Sequence, residues 1–285
     1  HLAHVFACAA ENEILLPYLG VAWDGTGYGE DGTVWGGEAF VVREDGDEHF
    51  ASLEPFRLPG GESAVREPRR SALGALFACF GEAAFGMDDL APLGEFSDTE
   101  LGVLGDMLRR GLNAPMASSA GRMFDAVASI CGLRQVSQFE GQAAMLLEFA
   151  AAGIDGGSAY PMVLRPRNVG ELGARHFLDW APMMRGIVAS VRVGESPGAI
   201  AARFHGALAE GILAVARAAG EPRVMLTGGC FQNRVLLEMV VLRLREEGFM
   251  PAWHQRVPPN DGGIALGQIA ALLRGRRAPR RVARV

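Results

Sequence analysis

"GVAWDGTGYGEDGTVWGGEAF", residues 20–40, is the stretch on which the reading of this chain turns. An apolar run reaches Trp23 and breaks into Asp24, with glycines at 25, 27, 29 and 32. Short runs of β-branched and aromatic residues bounded by glycine read as strands. Strands are therefore expected at Tyr18 to Trp23 and Thr33 to Val42, joined through the turn "EDGT". That turn accounts for Glu30 to Thr33 and leaves "DGTG" without a role. A carboxylate at a strand end sits where open α/β sheets place ligands. Glycines after it let backbone N–H groups approach a phosphate with no Cβ in the way.

Upstream of the hairpin, apolar periodicity predicts a helix at Ala3 to Asn12. Downstream, Pro59 to Gly61 marks a loop. Helices are expected at Pro68 to Phe85, Asp98 to Leu112, Ser119 to Cys131, Glu140 to Ala152 and Pro197 to Ala219, from apolar residues three and four apart. The last part alternates: strand Arg223 to Thr227, turn "GGCFQN", helix Arg234 to Glu247, strand Met250 to His254, loop "VPPNDGG" and helix Ile264 to Leu273. Alternation of this kind predicts α/β layers. Two strands alone leave open edges, which need partners from upstream of His1 or from another segment. The chain starts on His with the amphipathic pattern already running at Ala3, which predicts a piece of a longer polypeptide.

The 285 residues are 49% hydrophobic and 21% charged, enough for one large core or two lobes. Apolar stretches such as 141–152 fall short of a membrane span, and no basic-then-apolar leader opens the chain, so no membrane partner is expected. Cys8, Cys79, Cys131 and Cys230 lie far apart without a CxxC pair, which fits a reducing cytoplasm better than a disulfide scaffold or zinc ribbon. Every basic residue is arginine. The absence of lysine excludes a Walker-type phosphate loop, Schiff-base chemistry and Ser-Lys hydrolysis. The basic run Arg274 to Arg284 reads as a solvated end in a chain of net charge −6, so no nucleic-acid partner is expected.

Five places could carry chemistry. His1 and His4 in "HLAH" share a helical face, a spacing at which two imidazoles converge on one ion. Asp24 ends the first strand, and Asp261 in "PPNDGGIALGQ" heads the last helix, where it reads equally as an N-cap. These acids with imidazole would make a hard, oxygen-rich site suited to Zn²⁺ or Fe²⁺. Gly228 and Gly229 end a buried strand just before a helix, an arrangement that favours an anion, and Asn233 could reach a sugar or phosphate oxygen. Asp125 and Glu140 sit among apolar residues and are candidates for holding ribose hydroxyls. Cys230 reads as a small buried hydrophobe and His205 as a packed histidine.

Taken together, "HLAHVFACAAEN", "DGTGYGEDGTVWGGEAF", "LPGGESAVREPRRSAL", "SSAGRMFDAVASICG", "FEGQAAMLLE", "TGGCFQNRVL" and "PPNDGGIALGQ" resemble, in order and nearly end to end, the C-terminal half of the HypF family of hydrogenase maturation carbamoyltransferases. That region is similar to threonylcarbamoyladenosine synthases and antibiotic O-carbamoyltransferases. The resemblance implies an α/β chain of the two-lobed actin, sugar-kinase and Hsp70-like (ribonuclease H-like) fold. Its first lobe would be N-terminally truncated, with 1–67 as the remainder of that lobe. Residues 68–285 would form the second lobe with a helical insertion, the C-terminal segment returning toward the first.

It further implies a carbamoyltransferase. An upstream ATP-dependent domain forms carbamoyl adenylate, and this region passes the carbamoyl group to the C-terminal cysteine of the HypE protein. Motif by motif, His4, Asp24 and Asp261 match metal ligands, for Zn, Fe or Mg. Gly25, Thr26, Gly27, Gly228 and Gly229 match phosphate-facing turns, and Asp125, Glu140 and Asn233 match adenosine contacts, with Gly121 letting the nucleotide approach. The family motif is His-His-x-Ala-His, so its first ligand would lie immediately before His1. His1, His4 and Asp24 are the candidate catalytic group. Rival readings are O-carbamoylation of a small molecule, a kinase or chaperone-type ATPase, and a non-catalytic nucleotide-binding module that docks HypE.

Overall fold

The computed structural model describes residues 1–167 and 173–277; the expected basic end beyond residue 277 lies outside the described residues. In chain order the elements are α1 (Leu2–Glu11), β1 (Tyr18–Tyr28), β2 (Val34–Arg43), β3 (Gly46–Leu53), β4 (Phe56–Arg57), α2 (Ser63–Arg66) and α3 (Pro68–Phe80). Then come α4 (Ala91–Gly94), α5 (Asp98–Arg110), β5 (Met116–Ala117), α6 (Ala120–Ile130), α7 (Gln142–Ala151), β6 (Val163–Pro166), β7 (His176–Asp179) and α8 (Ala181–Arg192). The chain finishes with α9 (Pro197–Ala219), β8 (Arg223–Thr227), α10 (Arg234–Glu246), β9 (Met250–Trp253) and α11 (Ile264–Arg277).

The strands form one mixed sheet in the order β6-β7-β3-β2-β1-β8-β9, with β4 and β5 attached beside β2. The expected α/β class holds. β1, β2 and β3 run antiparallel as a meander, and β8 lies parallel to the other edge of β1. The edges that the first hairpin leaves open are thus covered from within the chain, by β3 and β8. Strands on both sides of residue 67 share this sheet.

Period-two alternation sorts β1 between two cores. Leu19, Val21 and Trp23 join the larger core with α3, α6 and α9, whereas Tyr18 and Ala22 join Val5, Phe6 and Cys8 of α1 on the opposite face. Fully burying a Leu or Val of this kind contributes about 1.5–3 kcal/mol. α9 is long and apolar enough to cross a membrane by length and composition, but most of it is buried within the larger core. It, and not 141–152, is the longest apolar helix among the described residues.

Two glycines seat α1. A Cβ on Gly20 would lie 2.2 Å from Val5 Cγ1, and one on Gly267 would lie 1.8 Å from the Ala3 carbonyl. The helix is therefore wedged between β1 and α11 with no room for a methyl group on either side.

Three expectations are corrected. β1 does not stop at Trp23 but runs to Tyr28, pairing with β2 again at Gly27 after a register shift between Trp23 and Gly27. The helix expected to reach Phe85 ends at Phe80, because Gly81 takes φ +58° and starts a separate 3-10 turn, Gly81–Gly86. Strands β3, β6 and β7 were not expected. The first half of β3 is polar and only its last four residues are buried, and β6 and β7 have four residues each, too few to show a period.

Candidate active site

The register shift in β1 is where the site begins. Trp23 pairs with Gly37 and Gly27 with Trp35, so β1 spends two more residues than β2 over the same span, and Asp24, Gly25 and Thr26 leave the ladder. The displaced turn rests on the start of α6. Ser119, the α6 N-cap, accepts from the Arg122 amide and donates to the Gly25 carbonyl, and a Cβ on Gly121 would lie 2.8 Å from Gly25 Cα. Gly121 and Gly25 thus meet backbone to backbone.

The turn after β8 closes on the same place. Gly228 has φ +95°, and a Cβ there would lie 2.2 Å from the Trp23 carbonyl; one on Gly229 would lie 2.8 Å from Asp24 Oδ1. Asp24 accepts from the amides of Gly25, at 2.7 Å, and Gly229. Burial pushes the Asp24 carboxyl up, but the bonds from His4 and these amides outweigh it and hold it below the usual carboxylate range. The Gly228 amide donates to Pro259. At least three of the glycine-turn amides therefore organise the site itself.

His4 lies buried on α1 with Nε2 3.2 Å from Asp24 Oδ2 and 3.5 Å from Asp261 Oδ1. The three donor atoms fall within 4.8 Å of one another, one buried imidazole and two carboxylates from α1, the register shift in β1 and the approach to α11. Asp261 is not the cap it could have been. Asn260 caps the 3-10 turn by accepting from the Gly262 amide, which leaves the Asp261 carboxylate, 85% exposed, free to face His4. His1 covers Gly27, where a Cβ would lie 2.3 Å from its Cε1, with its ring centroid 6.2 Å from that of His4. His1 Nε2 and His4 Nδ1 are buried without a hydrogen-bond partner. This donor set fits a divalent cation with positions left for substrate oxygen.

The remaining candidates separate. Thr26 is exposed beside Gly25, and Glu140 is exposed with Oε1 3.6 Å from where a Gly25 Cβ would be. Asp125 is buried in an ion pair with Arg122, 2.9 Å away. Burial pushes its carboxyl up to about 6, against the attraction of Arg122. Asn233 faces inward: Oδ1 caps α10 at the Leu236 amide, and Nδ2 lies 2.9 Å from His205 Nε2. Cys230 is held as a thiol by burial, which raises its pKa.

A profile described as "Carbamoyltransferase, Kae1-like Domain, second subdomain" of HypF matches residues 20–268. The chain belongs to the HypF carbamoyltransferase family. HypF of Synechocystis sp. is 36% identical over 97% of this chain and 37% of its own length, and HypF of Rhizobium leguminosarum is 40% identical over 95% and 34%. A crystal structure of full-length HypF in the phosphate- and nucleotide-bound form superposes with a TM-score of 0.85 at 34% identity, covering 95% of this chain and 42% of that one. The chain thus spans little more than a third of the length of the curated HypF relatives it matches.

Sequence reasoning missed several residues around this HypF-type site. Arg122 is buried on α6 beside Asp125, with Nε and Nη1 lacking hydrogen-bond partners. Glu38, fully buried, accepts from the Ser118 hydroxyl and lies 2.5 Å from His49 Nε2. Glu11 and His254 form a further pair. "AGRMFD" did hold a signal for Arg122, since an arginine three residues before an acid inside an apolar helix needs that acid as its partner.

Proposed function

We propose that this chain is the carbamoyl-transfer portion of a HypF protein, taking carbamoyl adenylate as donor and the C-terminal cysteine thiol of HypE as acceptor, in the synthesis of the cyanide ligands of NiFe hydrogenase. The observation that carries the reading is the convergence of His4, Asp24 and Asp261 beside the glycine turns at 24–27 and 228–229. The family membership and the nucleotide-bound relative support it.

His4, Asp24 and Asp261 would hold the divalent cation, Zn²⁺, Fe²⁺ or Mg²⁺, which when bound supplies positive charge against the phosphate oxygens of the leaving AMP. The chain's own residues do the rest. Gly25 and Gly229 hold Asp24 ionised and aimed at His4, and Gly121 keeps the start of α6 against the turn so that its geometry is set before substrate arrives. Glu140 stands beside Gly25, where an acid suits ribose hydroxyls, and Asp125 lies buried beneath, paired with Arg122. The HypE sulfur then attacks the carbamoyl carbon, the carbon–oxygen bond to AMP breaks, and the thiol proton passes to water. No side chain here acts as a nucleophile, in accord with Cys230 being held as a thiol.

The test is Asp261→Ala in the full protein, with thiocarbamate on HypE followed by mass spectrometry. Transfer should fall by at least ~100-fold, a typical cost of removing a charge-stabilising contact. Transfer at the wild-type rate would remove the cation from this account.

A further inference from the structure

The segment that carries Asp261 is not a free loop. Glu11, at the C-terminal end of α1 and nearly inaccessible, accepts from three consecutive backbone amides of that segment: Gln255 at 2.9 Å, Arg256, and Val257 at 3.2 Å. Its other carboxylate oxygen lies 2.7 Å from His254 Nδ1. His254 Nε2 lies 2.8 Å from the Thr227 hydroxyl, which donates to the carbonyl of His4 at 3.2 Å. Arg256 donates back to the Glu11 carbonyl, and Asn12 donates to Trp253. Further along the segment, the Pro259 carbonyl accepts from Gly228. Burial alone would raise the Glu11 carboxyl, but the three amides and His254 outweigh it and hold it below the usual carboxylate range.

We infer that Glu11 is a positioning residue that clamps segment 254–260 to α1 and so sets both the approach of Asp261 to His4 and the seating of the Gly228 turn. The inference rests on the cation site proposed above, but the clamp itself does not. Both cation-ligating ends hang on α1: His4 is part of it, and Asp261 reaches it through an anchor two turns further along the same helix. The place needs one acceptor oxygen for the three amides and a second polar atom facing the imidazole, which the two ends of the Glu11 carboxylate supply. Outer groups of this type fix ligand orientation, and their loss commonly lowers metal affinity 10–100-fold.

The prediction uses two variants of the intact protein. Glu11→Ala should weaken Mn²⁺ or Zn²⁺ binding by about 10–100-fold in a titration of the folded protein, and should speed amide exchange at Gly228, which Glu11 does not touch. Glu11→Gln keeps an oxygen for the amides and offers its NH₂ to His254 Nδ1, so it should restore slow exchange at Gly228 and most of the affinity. A general loss of packing would not be rescued in this way. Wild-type affinity together with unchanged Gly228 exchange in Glu11→Ala overturns the clamp. If the wild-type protein binds neither cation, the cation reading fails, and the clamp is decided by Gly228 exchange alone.

Discussion

At Gly228 two constraints coincide: φ of +95° and a neighbouring carbonyl 2.2 Å from any added Cβ. Gly32 has a similar φ, +78°, but nothing within 4 Å. Gly32→Ala should therefore cost only the left-handed penalty of about 1 kcal/mol, whereas Gly228→Ala should cost ~3 kcal/mol or more, because the obstacle is backbone and cannot turn away. Urea unfolding of the two variants measures the difference. His205 and Asp125 make a second pair of opposites. His205 donates from Nδ1 to Ala201 and accepts at Nε2 from Asn233, so it is held neutral, and burial lowers its pKa from 6.5 to about 4. Its contribution is complete above pH 6.5 and is lost as pH falls toward 4. Asp125, raised to about 6 by burial, has the other sign: its contribution is present below 3.8 and lost as pH rises through 6. Each spans roughly 3 kcal/mol, so over this window they largely offset. His205→Gln should make stability rise between pH 7 and 5 relative to the wild type, and Asp125→Asn should make it fall. Denaturant midpoints at the two pH values read the signs, and parallel changes in both variants would contradict the assignment.

Among the elements, most of those with a full period to display were legible, whereas α8, with Met183, Met184, Ile187 and Val188 buried at helical spacing, was not expected. β8, α9, α10 and the first hairpin needed only apolar spacing and the glycines and asparagine that bound them. β3, β6 and β7 were not legible, because their own residues are few or half polar. The site shows the same division. His4, Asp24 and Asp261 were found from motifs, but that β1 carries its pairing past Asp24 is decided by Trp35 across the sheet, and that Asp261 is freed from capping is decided by Asn260. Asn233 was legible as a helix start, and its inward amide was not, since His205 comes from a different helix. The α1–α11 contact is the element on which the site leans most. Gly267→Ala places a Cβ on the Ala3 carbonyl, one residue from His4. It should cost about 2 kcal/mol by overpacking, which for a chain of this size is a fall of ~4–8 °C in melting temperature. It should also weaken cation binding, because the displacement acts on α1 directly.

Across the whole molecule, the three proposed ligands come from α1, from the register shift within β1 and from the turn before α11, so a cation would tie the first and last helices to the central strand. The fold already brings these segments together through the α1–α11 contact and the Glu11 clamp, which means the cation would meet a site with little ordering left to do. Binding to the folded state alone stabilises by mass action, about 2.7 kcal/mol at a free concentration one hundred times Kd. For this chain length that is a rise of roughly 5–10 °C in melting temperature. The rise should appear on adding Zn²⁺ or Mn²⁺ to chelator-treated protein, grow with the logarithm of concentration, and vanish in His4→Ala and Asp261→Ala. Asp261 is exposed, so its replacement should leave the melting temperature in chelator close to wild type. His4 is buried, so His4→Ala should lower that baseline as well. A cation-dependent rise that survives in Asp261→Ala would place the ion elsewhere on the molecule.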